Sequence, residues 1–152
     1  MNKAIDIAAR LACNLHKGQT DKAGKDYFAE HLKKVAEMGN NQNEIIVGYL
    51  HDAAEDTQYD VEWIMQNLNE SLCDEDAKVI REALNLLNSK TASSREEYIN
   101  RLCQSQNKTA KNVKLNDLRN NMDLSRIENP TKKDFARVKR YKKEYEQILS
   151  NL

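Results

Sequence analysis

Apolar residues recur at helical spacing along most of this 152-residue chain. In the first segment they are Ala4, Ile5, Ala8, Leu11, Ala12 and Leu15. His16-Lys17-Gly18 follows, and the glycine can adopt the left-handed conformation that ends many helices. The same spacing predicts further helices beginning at His31 and over residues 43–51, 60–68, 74–87, 94–103, 110–124 and 131–149.

Two of these segments have apolar patterns that predict where they lie. Residues 43–51 are apolar on nearly all sides, so this helix should run through the core and carry His51 and Asp52 at its inner end. Asp60 and Thr131 are the expected N-caps of their helices. The expected buried stripe of the last helix is Phe135, Val138, Tyr141, Tyr145, Ile148 and Leu149.

The composition favours an all-α fold in one compact domain. One proline, four glycines and 32% charged residues are typical of helices with solvated outer faces. No apolar run approaches membrane length, and Asp6 stands where a signal peptide would have its apolar core. We therefore expect a cytoplasmic protein with no membrane partner. Cys13, Cys73 and Cys103 are odd in number and widely spaced, so we expect buried thiols rather than disulfides or a zinc ribbon.

The net charge is zero, but the charges are unevenly distributed. Residues 44–82 contain eleven acids against Lys78 and Arg81, whereas residues 131–143 contain seven bases against Asp134. An acidic centre suits a divalent cation, and a basic helix folded beside it would suit a polyphosphate. Charge alone favours the simpler interpretation, which is two ordinary solvated faces.

Residues 50–57 read Leu-His-Asp-Ala-Ala-Glu-Asp-Thr, which places one imidazole and three carboxylates within six positions. If this segment is helical, His51 and Glu55 lie one turn apart on one face, and Asp52 and Asp56 lie on the adjoining face. Ligands and non-ligand acids could then converge on one metal ion. The alternative is a solvated acidic helix end with a chance histidine.

This motif resembles the signature of the HD superfamily of metal-dependent phosphohydrolases. The form found here is similar to that of the RelA/SpoT hydrolase domain and of the small alarmone hydrolases. The resemblance implies a helical fold with the metal site between central helices, and a divalent ion, most simply Mn²⁺. It also implies the metal ligands His31, His51, Asp52 and Asp117. Glu55, Asp56 and Asn121 would have catalytic roles.

The flanking stretches extend the resemblance from His16 to Tyr141. The loop after the first helix is similar to the family's His-x-Gly-Gln-x-Arg-Lys-x-Gly, which gives Lys22 a substrate-binding role. Asp21 stands where the family usually has arginine. His31 begins a His-x-x-x-Val-Ala segment similar to the one that supplies the family's first metal ligand.

Residues 113–122 resemble the family's Val-Lys-Leu-Ala-Asp-x-x-x-Asn-Met. Asp117 and Asn121 are the matches, and their i, i+4 spacing places a ligand and a hydrogen-bond donor on one helical face. Asn116 and Asn120 depart from the pattern, since the family has a small alanine and a histidine or aromatic residue there. The pocket lining should therefore differ from that of the alarmone enzymes.

Three further residues are candidate substrate contacts. Lys90 matches in position a basic residue near the family's substrate. Arg137 and Tyr141 resemble an Arg-x-x-x-Tyr pair that holds the nucleotide, although Tyr141 could equally be a core residue and Arg137 a surface charge.

The expected function is hydrolysis of the 3′-pyrophosphate of guanosine tetra- or pentaphosphate alarmones. The metal would polarise the phosphoryl group and acidify water, while Glu55 orients or deprotonates the nucleophile. A nucleotidase or pyrophosphohydrolase acting on another nucleotide remains open, because of Asp21 and Asn120. A non-catalytic module that binds nucleotide or nucleic acid is a third possibility, which a complete set of metal ligands disfavours. The expected partner is a small nucleotide, and the oligomeric state is not readable from the sequence.

Overall fold

The helices follow the predicted apolar segments. The computed structural model describes residues 2–152, and regular structure in this range is helical apart from one isolated β-bridge between Thr20 and Asp26. The helices are α1 (Lys3–Leu15), α2 (Lys33–Glu37), α3 (Gln42–Leu50), α4 (Ala53–Asp56), α5 (Val61–Leu68), α6 (Asp74–Leu86), α7 (Arg95–Gln104), α8 (Lys108–Met122) and α9 (Lys132–Ser150). A π-helical turn, Phe28–Leu32, leads into α2, and 3₁₀ turns span Asn69–Ser71 and Ser89–Thr91. The all-α prediction is confirmed.

Local signals in the sequence explain several helix ends. Asp60 accepts a hydrogen bond from the Trp63 N–H and caps α5, as predicted. Thr131 and Asp134 form a reciprocal capping box at the start of α9. Gly18 has a φ of 85°, so it adopts the left-handed conformation expected after α1.

Two central helices, α3 and α8, organise the core. α3 packs against α1, α2, α6 and α8, and α8 also packs against α2, α7 and α9. Ile46, Val47 and Leu50 of α3 are fully buried, as are Val113 and Leu118 of α8. The end of α3 therefore lies inside the protein, where an ionisable side chain needs a partner.

A glycine allows α2 and α3 to approach closely. A Cβ atom at Gly48 would lie 2.7 Å from the Ala36 Cα, which is closer than any side chain tolerates. Because Gly48 has no side chain, the backbone that follows His31 can lie directly on α3, the helix that His51 follows. This contact brings the two histidines together.

Two helix boundaries differ from the predictions. His31 does not begin its helix but lies inside the π-helical turn, because the Asp26 carboxylate caps the chain earlier by accepting from the Ala29 N–H at 2.9 Å. The His51 motif is not one continuous helix. α3 ends at Leu50, and α4 begins at Ala53 with its own hydrogen bond from the Asp56 N–H to the Asp52 carbonyl.

The predicted burial was wrong at both ends of the α9 stripe and at two cysteines. Phe135 is 58% exposed and Leu149 is 49% exposed, while Ile148 is buried. Part of the inward face of α9 is occupied instead by Glu144, which forms an ion pair with Arg95 of α7. Cys13 and Cys73 are exposed because they lie on the outer face of α1 and at the N-cap of α6.

Among residues 2–152, no helix combines the length and the apolar composition that are needed to span a bilayer.

Candidate metal centre

Four predicted ligands converge from three parts of the chain. The π-helical turn supplies His31, the end of α3 supplies His51 and the adjacent Asp52, and α8 supplies Asp117. The two histidine Nε2 atoms are 3.3 Å apart. Asp117 Oδ1 lies 2.8 Å from the Nε2 of His31 and 3.3 Å from that of His51. Asp52 Oδ2 lies 3.2 Å from the Nε2 of His51 and 3.7 Å from that of His31.

Hydrogen bonds on the outer side of each imidazole fix which nitrogen faces inward. His51 Nδ1 donates to the Gly48 carbonyl at 2.7 Å, and His31 Nδ1 donates to Asn120 Oδ1 at 2.6 Å. With the proton on Nδ1, each Nε2 presents a lone pair to the centre. An imidazole held in this way by an outer acceptor is the usual arrangement of a metal-ligating histidine.

The carboxylates are oriented in the same manner. Lys114 is buried and donates to Asp117 Oδ2 at 2.7 Å, so that Oδ1 faces the centre. Asn121 donates from Nδ2 to the same Oδ1 at 3.2 Å. The Tyr27 hydroxyl donates to Asp52 Oδ2. Each predicted ligand therefore has a polar partner that limits its rotation.

The electrostatics of the centre favour a cation between these groups. Burial opposes charge on His51, yet Asp52 and Asp117 raise its pKa well above the usual value. Burial likewise opposes charge on the two carboxylates, but His51 lowers the pKa of Asp52, and Lys114 lowers that of Asp117. The two carboxylates thus remain ionised in a buried site where only Lys114 is a permanent cation.

The donor set fits a divalent transition metal. Two neutral imidazoles with Nε2 atoms 3.3 Å apart would direct their lone pairs at each other, and either a proton or a metal ion between them resolves this conflict. Two imidazole nitrogens with two carboxylate oxygens suit Mn²⁺ and its neighbours, whose six-coordinate geometry leaves positions for water and a phosphate oxygen. Donor atoms of His31, His51 and Asp52 all lie within 4.8 Å of one another, so these three residues could hold such an ion.

Glu55 is fixed beside this centre by the 3₁₀ turn that follows α6. Its Oε1 accepts hydrogen bonds from the Ser89 N–H, at 2.9 Å, and from the Ser89 hydroxyl. Its carboxylate and that of Asp56 lie within 4.8 Å of Asp52. Partial desolvation, together with the charges of Asp52 and Glu55, raises the pKa of Asp56 to about 6. The acids of the motif thus have distinct environments.

A cavity of about 390 Å³ adjoins the metal centre. Its lining includes His31 and Asn121 and three of the predicted substrate contacts, namely Lys22, Arg137 and Tyr141. Arg137 forms an ion pair with Asp134, and Arg126 forms one with Asp21, 3.2 Å away. Lys90 does not line this cavity; its ammonium group donates to the Glu55 carbonyl instead.

Sequence reasoning missed several residues of the site. The roles of Tyr27, Lys114 and Ser89 were not predicted. A signal existed for the first two, since Tyr27 lies four residues before His31 and Lys114 three residues before Asp117, in each case on one helical face. No such spacing connects Ser89 with Glu55, which lies 34 positions earlier.

Neither the comparison with protein-family models nor that with curated proteins finds a match for this chain. The geometry of the site is therefore the basis for assigning a function.

The outer partner of His31 provides a first test of metal binding. Asn120→Ala removes the acceptor of the His31 Nδ1 proton, so the imidazole is free to rotate and to change tautomer. We expect the affinity for Mn²⁺ to fall by roughly tenfold or more. Competition with a fluorescent chelator measures this. Asn112→Ala is the matched control, since Asn112 lies on the same helix and binds Glu44 instead. Equal affinities in Asn120→Ala and the parent would contradict the role of Asn120.

Proposed function

We propose that this protein is a metal-dependent phosphohydrolase of the HD type, and that it removes the 3′-pyrophosphate from guanosine tetra- or pentaphosphate. The observation that carries this proposal is the convergence of two imidazole Nε2 atoms and two carboxylates beside a cavity lined by cationic and aromatic side chains. The resemblance to the HD superfamily implies the same four residues, His31, His51, Asp52 and Asp117, as metal ligands.

The cavity has features that suit a nucleotide. Its volume of about 390 Å³ lies within the range of small-molecule sites. Lys22 and Arg137 supply positive charge for phosphate groups, and Tyr141 supplies an aromatic surface and a hydroxyl. His31 lies in the same lining, so a nucleotide in the cavity would have its phosphates next to the metal ligands.

The residues around the centre divide the remaining work of hydrolysis. A bound divalent ion supplies Lewis-acid polarisation of the phosphoryl group and a lower pKa for water. Glu55, anchored by Ser89, would orient the attacking water and accept its proton. Asn121, between Asp117 and the cavity, would hold the substrate by hydrogen bonding.

A panel of nucleotides incubated with Mn²⁺ and separated by anion-exchange chromatography tests the proposal. We expect guanosine tetraphosphate to be hydrolysed and chelation to abolish turnover. Failure to hydrolyse any member of the panel, by a protein that binds Mn²⁺, would contradict the proposed activity.

The products from guanosine tetraphosphate should be guanosine diphosphate and pyrophosphate. The alarmone-hydrolase resemblance implies attack of water at the phosphorus nearest the ribose, which breaks the bond to the 3′ oxygen and releases the two phosphates together. Phosphorus NMR of the reaction mixture distinguishes pyrophosphate from orthophosphate. Release of orthophosphate as the first product would contradict this mode of attack.

A second candidate is a nucleotidase or pyrophosphohydrolase acting on another nucleotide. Two departures from the alarmone pattern favour it: Asp21 in the cavity lining and Asn120, whose side chain holds His31. Faster turnover of a nucleoside monophosphate than of guanosine tetraphosphate would support this alternative.

A non-catalytic binding module is the third candidate. Its support is the exposed basic surface of α9, formed by Lys132, Lys133, Lys139, Arg140, Lys142 and Lys143. Nucleic-acid binding there would weaken steeply with salt and would not require a metal. Because the donors of the candidate metal centre are so closely grouped, we favour the hydrolase.

A further inference from the structure

Arg126, in the loop between α8 and α9, connects three segments of the protein with one side chain. Its side chain is only 15% exposed. Nη1 donates to Asp21 Oδ2 at 3.2 Å and to the Glu30 carbonyl at 3.0 Å, and Nη2 donates to the Asn120 carbonyl at 3.3 Å. The three acceptors belong to the loop after α1, the π-helical turn and α8.

Two of these acceptors adjoin residues that hold the candidate metal. Glu30 directly precedes His31, and the Asn120 side chain accepts a hydrogen bond from His31 Nδ1. The Asn120 amide also donates to the Glu30 carbonyl, at 3.4 Å. The Arg126 guanidinium therefore fixes the backbone on both sides of the hydrogen bond that orients this ligand.

The third acceptor, Asp21, determines the shape of the loop that enters the cavity. Its Oδ1 accepts from the Ala23 N–H at 2.8 Å and from the Lys25 N–H at 2.9 Å, so one carboxylate closes the loop. Gly24 completes the turn with a φ of 77°. Lys22 lies in this loop and lines the cavity.

Lys22 differs from the two arginines of the cavity in its charge pairing. Arg126 is paired with Asp21, and Arg137 is paired with Asp134, whereas no ion pair involves Lys22 among residues 2–152. Partial burial, with the nearby charges of Arg137 and Arg140, lowers the pKa of Lys22. An anion bound at Lys22 would relieve this unfavourable environment.

We infer that the Asp21–Arg126 ion pair is a positioning device that couples the substrate cavity to the metal centre. Its carboxylate holds Lys22 in the cavity, and its guanidinium holds the backbone around His31. The pair also explains the departure from the family pattern at position 21, because a buried arginine from another segment compensates the acid there. The cavity role of Lys22 in this inference rests on the proposed function.

A double-mutant cycle tests the coupling. Asp21→Asn keeps an oxygen for the Ala23 and Lys25 N–H groups and removes the charge, while Arg126→Gln removes the guanidinium. Electron paramagnetic resonance of free Mn²⁺ gives the metal affinity, and steady-state kinetics on guanosine tetraphosphate give KM and kcat. We expect Arg126→Gln to weaken Mn²⁺ binding about tenfold and to raise KM, and Asp21→Asn to change both in the same direction. The double variant should resemble Arg126→Gln, since the two residues act as one unit.

Two comparison variants separate positioning from general structural damage. Lys22→Gln should raise KM with the Mn²⁺ affinity of the parent, because it removes the cavity cation alone. Arg119→Gln should change neither quantity, since Arg119 is an exposed arginine of α8 that contacts Tyr145. If Arg126→Gln does not fold, Arg126→Lys replaces it in the cycle, because one ammonium group cannot reach all three acceptors.

The outcomes distinguish this inference from the proposed function. Additive effects of Asp21→Asn and Arg126→Gln, or parent-like Mn²⁺ affinity in both, would overturn the coupling even if the parent hydrolyses the nucleotide. A non-additive loss of Mn²⁺ affinity without any turnover by the parent would support the coupling to the metal centre and overturn the proposed activity. A parent protein that binds no Mn²⁺ would overturn both.

Discussion

Replacing Asp117 with alanine should deprive the protein of its metal and of its activity. Asp117 Oδ1 lies 2.8 Å from the Nε2 atom of His31 and 3.3 Å from that of His51. Outer partners of metal ligands change metal affinity by roughly ten- to a hundredfold, so loss of the ligand itself should exceed that effect. We expect Mn²⁺ to be absent from the purified variant by elemental analysis, and turnover to be undetectable.

The same substitution also leaves the buried Lys114 without its carboxylate. Removing one partner of a buried ion pair costs about 3–5 kcal/mol of folding free energy. Unfolding would therefore contribute to any loss of metal and activity in this variant. Asp117→Asn keeps the shape and a hydrogen-bond acceptor, and circular dichroism shows whether each variant is folded. Asp76→Asn is the control, since Asp76 is an acid that binds Asn43 far along the chain from the motif. Full metal occupancy in a folded Asp117→Ala variant would remove Asp117 from the ligand set.

The helices were predictable because their apolar periodicity and their caps are local properties. α5 and α9 begin at the predicted caps, Asp60 and Thr131. An N-cap requires only its own side chain and a backbone N–H two or three residues later. The break after His51 was not predictable in this way. A two-residue interruption between α3 and α4 leaves the periodicity almost unchanged, and the hydrogen bond that His51 Nδ1 donates to the Gly48 carbonyl at this point has no signal in the apolar pattern.

Predicted burial failed on α9 because periodicity considers apolar residues only. Glu144 is buried there by an ion pair with Arg95, which lies 49 positions earlier in the chain. Nothing in the local sequence of α9 indicates that partner. Phe135 and Leu149, which the apolar pattern places in the stripe, are exposed.

The candidate ligands were predictable, and their supporting contacts were not. His51 and Asp52 are adjacent within one dense motif, and the resemblance to the HD superfamily points to His31 and Asp117. Asn120 shows the limit of such reasoning. From the sequence it was expected to alter the pocket lining. In the structure its side-chain oxygen accepts a hydrogen bond from His31, 89 positions away. Only the packing of α8 against the π-helical turn creates that contact.

The assignment of Glu55 as the general base leads to the second large effect. Glu55→Gln keeps an oxygen that can accept from the Ser89 N–H and hydroxyl, so the side chain should remain in place. The amide cannot take a proton from water. We therefore expect kcat to fall by about a hundredfold or more, with metal content and substrate Kd near the parent values.

Two other variants should give different kinetic patterns. Asn121→Ala should raise KM as well as lower kcat, because Asn121 lines the cavity and would act on the placement of the substrate. Ser89→Ala removes the hydroxyl that anchors Glu55 but leaves the Ser89 N–H, so its loss of kcat should be smaller than that of Glu55→Gln. Glu62→Gln is the matched control, since Glu62 is an exposed glutamate paired with Arg81, and it should have parent-like kinetics.

Metal analysis decides between the two roles that the position of Glu55 allows. Its carboxylate lies within 4.8 Å of those of Asp52 and Asp56, so a ligand role is geometrically conceivable as well as a basic one. If Glu55 is a ligand, the Glu55→Gln variant should lose its metal. If Glu55 is the general base, the variant should keep its metal and have a lower kcat. Elemental analysis beside steady-state kinetics on the same preparation separates them. An active Glu55→Gln variant, or an inactive one that has lost its metal, would exclude Glu55 as the general base.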